Sequence, residues 1–546
     1  MRLSRNIRDN LHFLIAEVSS QVGNLHAYID TSSPPQAQRI VDRSGYAYNL
    51  KMRIHNSCLG QIVRHKGNDT RTQTLRAAES IATDLERIAE LCRDCIHQMG
   101  YLKKKSCLRP TDYALLLDQV IFGLQMVQPA IQDKDTGLAL KLGQIEHQLD
   151  QDYRKLLKHN TKLLKKKRHT EDLIAALFVA HSIEQMGDAL LNISEAIISA
   201  NLGQPINIDR YYHLMESIGR LETDKNLNSL TIEPVAETRS GSAISGISNP
   251  KGKNDGYVAI FKDGKKRKLK EEREGVESWH EIYPGLAPKI LSYHKRGQSA
   301  SLLIEHLAGM TFEHILLHES QPLLNKTMGR LCATLESVWR ETRNKKKISA
   351  NYMDQLARRL PDVYEIHPEF RQSDNQVCGL EIPSFESLLK RTRAYESRLK
   401  APFSVYIHGD FNIDNIIYDP LAKRINFIDL HRSRYMDYVQ DVSVFMVSNY
   451  RLQVLDAPLR RRIMQLVQSF YRFARKYAKK AGDETFELRL ALGLARSFAT
   501  STRFILDKSL ARAMMLRARY LLERVLETDP KQAANFRLPI KELFIA

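Results

Sequence analysis

Apolar residues recur in steps of three and four through most of residues 1–220. In Ile81–Met99 they fall at Ile81, Leu85, Ile88, Cys92, Cys95 and Met99. In Leu173–Ile197 they fall at Leu173, Leu177, Ala180, Ile183, Met186, Leu190, Ile193 and Ile197. That spacing predicts long amphipathic helices with one apolar stripe each. Proline is rare here, and Pro34, Pro35, Pro110, Pro129 and Pro205 fall near the inferred breaks. Long helices joined by short polar breaks predict up-and-down bundles. From Asp209 to Asn254 the periodicity fades while Ser, Gly, Asn and Thr accumulate, so residues 221–230 read as a linker. Beyond it come short extended runs: Thr231–Ala236, a strand after the loop Thr238–Gly246, Tyr257–Lys262, Lys289–Tyr293 and Ser301–Glu305. A polar helix is predicted over Lys270–Ile282. Further helices are predicted over Thr311–Leu360, Phe385–Leu399, Leu459–Lys480 and Leu488–Leu526. The chain therefore reads as multidomain: an all-α pair of bundles, then an α+β two-lobed domain with a small lobe at 231–305 and a large lobe at 306–546.

The helical half contains an internal repeat. Asp84-Leu-Glu-Arg-Ile-Ala-Glu90 returns as Ser182-Ile-Glu-Gln-Met-Gly-Asp188, and Glu184 lies 98 residues after Glu86. Each copy sets two carboxylates at i and i+4 on one helix face, Glu86 with Glu90 and Glu184 with Asp188. Like charges so placed repel, and a bound cation would remove the repulsion. These four residues are the candidate second metal site.

Composition narrows the picture. The net charge is +19 over 546 residues, which suits an acidic partner. The basic runs Lys103–Lys105, Lys165–Arg168, Lys265–Lys268 and Lys345–Lys347 are separate and carry no interleaved aromatics, which argues against a specific nucleic-acid groove. Six cysteines do not make a disulfide framework, and the lone Cys92/Cys95 pair reads as core packing. The longest purely apolar run, Leu173–Ala180, is too short to span a bilayer. No signal-peptide core is present. A soluble, cytoplasmic protein is expected.

The chemistry concentrates in Tyr406–Tyr418 and Ile425–Leu430. His408-Gly-Asp410 is followed by Asn415, and Phe427-Ile-Asp429 ends the next apolar run. An aspartate that orients a hydroxyl, then an asparagine and an aspartate for a hard cation, is the layout of an ATP-dependent phosphoryl-transfer site. Asp410 is the candidate base, and Asn415 and Asp429 are the candidate Mg²⁺ ligands. His408 is expected to hold the loop by packing and hydrogen bonding. Gly241 and Gly246 would let a loop approach the ATP phosphates. Lys262 ends a strand where it would hold those phosphates. Glu274 is the candidate to position it, with Glu271 and Glu272 as competitors. Leu302–Gly309 reads as a buried strand entering a linker whose backbone, at Glu305 and Leu307, would pair with adenine.

Two resemblances follow. The first half resembles the PhoU family of phosphate-signalling regulators, through Glu86-Arg-Ile-Ala-Glu90, Glu184-Gln-Met-Gly-Asp188 and Asn192-Ile-Ser-Glu195. That resemblance implies a pair of three-helix bundles, metal ions along the acidic helices and action through a protein partner. Residues from 231 onward resemble the aminoglycoside phosphotransferase and choline-kinase-like family, through His408-Gly-Asp410, Asn415, Phe427-Ile-Asp429 and Asp437-Tyr-Val-Gln-Asp441. The chain departs from that family at Asn412, Met436 and Tyr438, where a histidine, a glycine and a proline are usual. The resemblance implies a protein-kinase-like fold, ATP and Mg²⁺, Asp410 as catalytic base, Asp441 as a structural residue at a helix start, and a small-molecule acceptor hydroxyl. The expectation is a kinase with a phosphate-signalling regulatory domain. The alternative is a non-catalytic adaptor that binds ATP and a transporter or kinase partner. The acceptor itself is not readable, and Val363–Glu381 is only placed to border its pocket.

Overall fold

A computed structural model describes residues 3–64, 69–203, 206–208, 210–212, 214, 231–237, 243–248 and 257–545. The chain divides into two compact units, Met1–Asp263 and Gly264–Ala546. The expected small lobe, residues 231–305, has strands on both sides of that division.

The first unit opens with helices α1 (Arg5–Thr31), α2 (Pro34–Asp42), α3 (Ser44–Arg64) and α4 (Asp69–Gly100). Helices α5 (Pro110–Gln132), α6 (Thr136–Leu164) and α7 (Thr170–Leu202) follow. Helices α1, α3 and α4 pack as one bundle and α5, α6 and α7 as the other. The stripes expected on α4 and α7 are buried from Ile81 to Cys95 and from Ala180 to Ile197. Cys92 and Cys95 are buried free thiols, as a core-packing role requires. Pro34 and Pro110 start helices, where a missing N–H costs nothing. Pro129 lies inside the last turn of α5, close to the helix end at Gln132.

The two repeats meet each other. Arg87 Nη2 donates to Gln185 Oε1 at 3.4 Å, and these residues are 98 apart, the repeat offset itself. Asn192 Nδ2 donates to Asp84 Oδ1 at 3.1 Å, and Cys95 Sγ reaches Val179 O at 3.8 Å. Partner numbers fall on α7 as they rise on α4, so the helices run antiparallel. Equivalent residues touching across an antiparallel pair place a pseudo-two-fold axis at Arg87 and Gln185. The unit ends in the antiparallel strands β1 (Thr231–Glu237), β2 (Ala243–Ser248) and β3 (Tyr257–Lys265).

The second unit starts with helix α8 (Lys266–Ile282) and the hairpin β4 (Ile290–Arg296) and β5 (Ser299–Glu305). Strand β6 (Met310–Thr311) leads into α9 (Phe312–His318), α10 (Gln321–Glu341) and α11 (Tyr352–Ile366). The helical pattern expected over Thr311–Leu360 is carried by three helices. Thr311 Oγ1 caps the first by accepting from His314 N at 3.2 Å, and Ser320 with Pro322 restarts the chain at the second. The exposed hairpin β7 (Asn375–Val377) and β8 (Leu380–Ile382) precedes α12 (Phe385–Glu396). Next come β9 (Val405–Ile407), β10 (Ile416–Asp419), β11 (Arg424–Phe427) and β12 (Arg434–Met436). Helices α13 (Val439–Tyr450), α14 (Ala457–Ala481), α15 (Phe486–Ser501) and α16 (Lys508–Leu526) complete the core. The pattern expected over Leu488–Leu526 is split because Asp507 caps α16, accepting from Leu510 N at 2.7 Å. Every residue of α13 is buried, so this helix is the axis on which α14 and α15 pack.

Candidate active site

The site is assembled on two small antiparallel sheets, one of two strands and one of three. Strand β9 delivers His408 and pairs with β12, while β10 pairs with β11 and with β6. Asn415 immediately precedes β10 and Asp429 follows β11 by one residue. Ile428 N donates to Asn415 O at 3.0 Å, so the hairpin closes Asn415 against the segment carrying Asp429.

Asp410 follows a forced turn. Gly409 has φ +84°, and a Cβ there would lie 2.3 Å from Arg432 O, so no larger residue fits. Asp441, in the first turn of α13, holds the turn from behind. Its Oδ2 accepts from His408 N at 2.8 Å and its Oδ1 from Gly409 N at 2.9 Å. Gln440 Nε2 donates to Gly409 O at 3.1 Å. Burial pushes the Asp441 carboxyl up to about 7, against the two amide bonds that favour its charge. His408 is buried and donates through Nε2 to Ile428 O at 2.9 Å, tying the Asp410 loop to the Asp429 loop. Burial lowers its pKa, which keeps the ring neutral. It packs and hydrogen-bonds as expected.

Each oxygen of the Asp410 carboxylate has a partner. Oδ1 accepts from Asn412 Nδ2 at 3.0 Å, and Oδ2 lies 3.2 Å from Arg432 Nη1. Asn415 donates Nδ2 to Asp410 O at 3.0 Å, which leaves its amide oxygen as the donor atom suited to a cation. Asp429 sits at φ +61° with Oδ1 3.2 Å from His431 Nδ1. Asp414 was not anticipated from the sequence. Burial raises its carboxyl, and Asp410 and Asp429 raise it further while Arg451 opposes them. Oxygen donors from Asn415 and Asp429, amid carboxylates that repel one another, fit Mg²⁺, which takes only one or two protein ligands beside phosphates and water. Helix α8 packs on this loop: a Cβ at Gly275 would meet Leu430 O at 2.1 Å, and Trp279 Nε1 donates to Ser433 Oγ at 2.8 Å.

Behind the site lies a buried ion network. Arg489 contacts both Asp437 and Asp483, and Tyr438 Oη donates to Asp483 Oδ2 at 2.7 Å. All four residues are buried.

The other sequence candidates are distributed as follows. Gly241 lies outside the described residues. Gly246 is not in a loop: it lies within β2, opposite Glu233 and Ile260, because the strand begins at Ala243. Lys262 is buried on β3. Glu274 is half-exposed with its carboxylate 3.5 Å from Lys270, and Glu271 pairs with Arg267 at 3.0 Å, whereas Glu272 is buried. Glu305 N donates to Lys289 O at 2.9 Å, and Leu307 is buried.

In the helical unit, Glu86 is buried with Lys51 Nζ 2.8 Å away, and Glu90 lies 3.3 Å from Arg87. Glu184 lies 3.1 Å from His181, and burial raises the carboxyls of Glu184 and Asp188. Among the described residues no group of three or more His, Cys, Asp or Glu side chains is placed to hold a metal ion. The expected second metal site therefore has no support: basic partners already take the charge of Glu86 and Glu90.

Fold and loop geometry together define a kinase-like phosphotransferase domain preceded by a PhoU-like helical region. Residues 269–476 match the model of the phosphotransferase enzyme family, and residues 115–197 match that of the PhoU domain. Among solved structures, the chain is similar to PhoU from Pseudomonas aeruginosa, at 19% identity over 36% of this chain and 96% of that one, TM-score 0.34. It is similar to choline kinase from Cryptosporidium parvum Iowa II, at 12% identity over 61% and 99%, TM-score 0.34. It is also similar to an aminoglycoside-3'-phosphotransferase of type VIII, at 16% identity over 49% and 99%, TM-score 0.30. No curated protein matches the chain.

Proposed function

We propose that the second unit transfers the γ-phosphoryl group of ATP to a hydroxyl of a small molecule in a Mg²⁺-dependent reaction, and that the PhoU-like region regulates it in phosphate signalling through a protein partner. Asp410 orients the acceptor hydroxyl and takes its proton as the new O–P bond forms and the bond to the ADP oxygen breaks. Asn415 and Asp429 would hold the cation, which would neutralise the phosphate charge when bound. The backbone at Glu305 and Leu307 meets adenine, and a soluble, cytoplasmic location suits these ligands. The observation that supports this reading is the closure of Asn415 against Ile428–Asp429, beside the Asp410 turn.

Calorimetric titration of ATP with and without Mg²⁺ tests it. Wild type is expected to bind in a Mg²⁺-dependent way, and Asp429→Ala to lose that dependence. Asp410→Asn is expected to keep binding while phosphoryl transfer falls by about 10²-fold or more. No nucleotide binding by the wild type would overturn the proposal. If nucleotide binds but Asp410→Asn is silent, the adaptor reading replaces it.

A further inference from the structure

The acceptor side of Asp410 carries an unusual charge. Arg432 lies against its carboxylate at 3.2 Å. Arg496, on α15, has Nε and Nη2 buried without a hydrogen-bond partner, and its guanidinium carbon stands 5.7 Å from the centre of the Tyr352 ring. The groups whose charges act on Arg496 are Tyr352, Asp410, Arg432 and Asp441. Arg434 lies two residues after Arg432 on β12, opposite Ile407 in the strand that delivers the Asp410 turn. Its own field comes from Arg358 and Arg432. Arg503 follows α15 and feels Arg359, Asp362, Arg432 and Asp410.

The carboxylates facing this group are already committed. Asp362 lies 3.2 Å from Arg503 and 3.8 Å from Arg359. Asp441 is turned to the amides of His408 and Gly409. Asp410 is the one shared between this group and the Asn415–Asp429 cation site. Guanidinium groups gathered around one shared carboxylate repel one another, and burying N–H donors without acceptors is costly. Both costs are relieved by an anion that accepts in the planar, two-pronged way a guanidinium offers. A cationic alcohol relieves neither, and a neutral one offers the N–H donors an acceptor but leaves the repulsion in place.

We propose that the acceptor alcohol carries an anionic group, a phosphate or a carboxylate, which Arg496 and Arg432 bind while Arg434 and Arg503 supply the surrounding field. This rests on the phosphotransferase reading, in which Asp410 meets the acceptor hydroxyl. The Arg432–Asp410 contact then gains a role. An arriving anion draws Arg432 off Asp410, and the carboxylate becomes available for the hydroxyl proton.

The full-length protein, with and without MgATP, should be titrated calorimetrically with glycerol 3-phosphate, glycerate, glycerol and choline. These are alcohols of similar size that differ in charge. The expected result is binding of one or both anions and not of glycerol or choline. The phosphate and carboxylate arms identify the group preferred. Arg496→Gln is expected to weaken the anion by about tenfold or more. Arg434→Gln, on an exposed strand position, should weaken it severalfold, and it keeps the test valid if Arg496→Gln fails to fold. Three results would overturn the proposal: no anion bound at about 10 mM, choline or glycerol bound as well as the anions, or anion binding unchanged in the folded variants. The ATP titration reports separately. Anion binding that the variants weaken, without any MgATP binding, would remove the phosphotransferase reading and leave the anion site standing.

Discussion

Asp441 accepts the amide of Gly409 at 2.9 Å, so a carboxylate in the first turn of one helix fixes the loop that presents Asp410. Its second oxygen takes the amide of His408. Two N–H donors on one buried carboxylate make the turn rigid in a place where the chain has no regular ladder.

That arrangement predicts a pH dependence. The folded-state pKa of Asp441 is raised to about 7, above an unfolded value of about 3.9. A raised carboxyl stabilises the fold in its protonated form, fully below the unfolded value, and that contribution is lost as pH rises from about 4 to about 7. Asp441→Asn, which cannot ionise, should remove this slope. Chemical denaturation of both proteins across that range checks it, and parallel stability curves would refute it.

Gly409→Ala should be severely disruptive. A methyl group would collide with Arg432 O, and φ +84° disfavours any side chain. Phosphoryl transfer is expected to drop by about 10²-fold or more, because the Asp410 carboxylate would move by a sizeable fraction of an ångström. Nucleotide binding, measured in the same sample, should change far less.

Arg489→Met should destabilise the second unit by about 3–5 kcal/mol, since it leaves Asp437 and Asp483 buried without their cation. A triple change that also makes both aspartates apolar should recover much of that loss. Thermal and urea unfolding of the two variants decide the point.

In the helical unit, Lys51→Met removes the ammonium 2.8 Å from the buried Glu86. The expected loss is about 2–4 kcal/mol. Recovery of that loss by adding Glu86→Gln would show that the uncompensated charge, and not packing, is what Lys51 answers, and no recovery would show the reverse.

The sequence by itself determined the helical first half, the paired acidic repeats and the residues of the candidate loop. A helix stripe at Ile81–Cys95 or Ile183–Ile197 is written in local periodicity, and Asp410, Asn415 and Asp429 sit within twenty residues of one another. The helix starts after Ser320 and Asp507 interrupt a continuing apolar pattern, the first with Pro322 in the opening turn and no side-chain cap, the second with the Asp507 oxygen accepting from Leu510 N. Only the tertiary structure decided the rest. Gly246 is a strand residue because it pairs with Ile260. Glu86 is neutralised by Lys51 from another helix, which no spacing along α4 reveals. Arg432 and Arg496 are 64 residues apart in sequence, and both act on Asp410 only because the turn before β12 and helix α15 bring them there. Periodicity and short motifs are local properties of the chain. Electrostatic neighbourhoods depend on which distant segments share a few ångströms, and packing alone sets that.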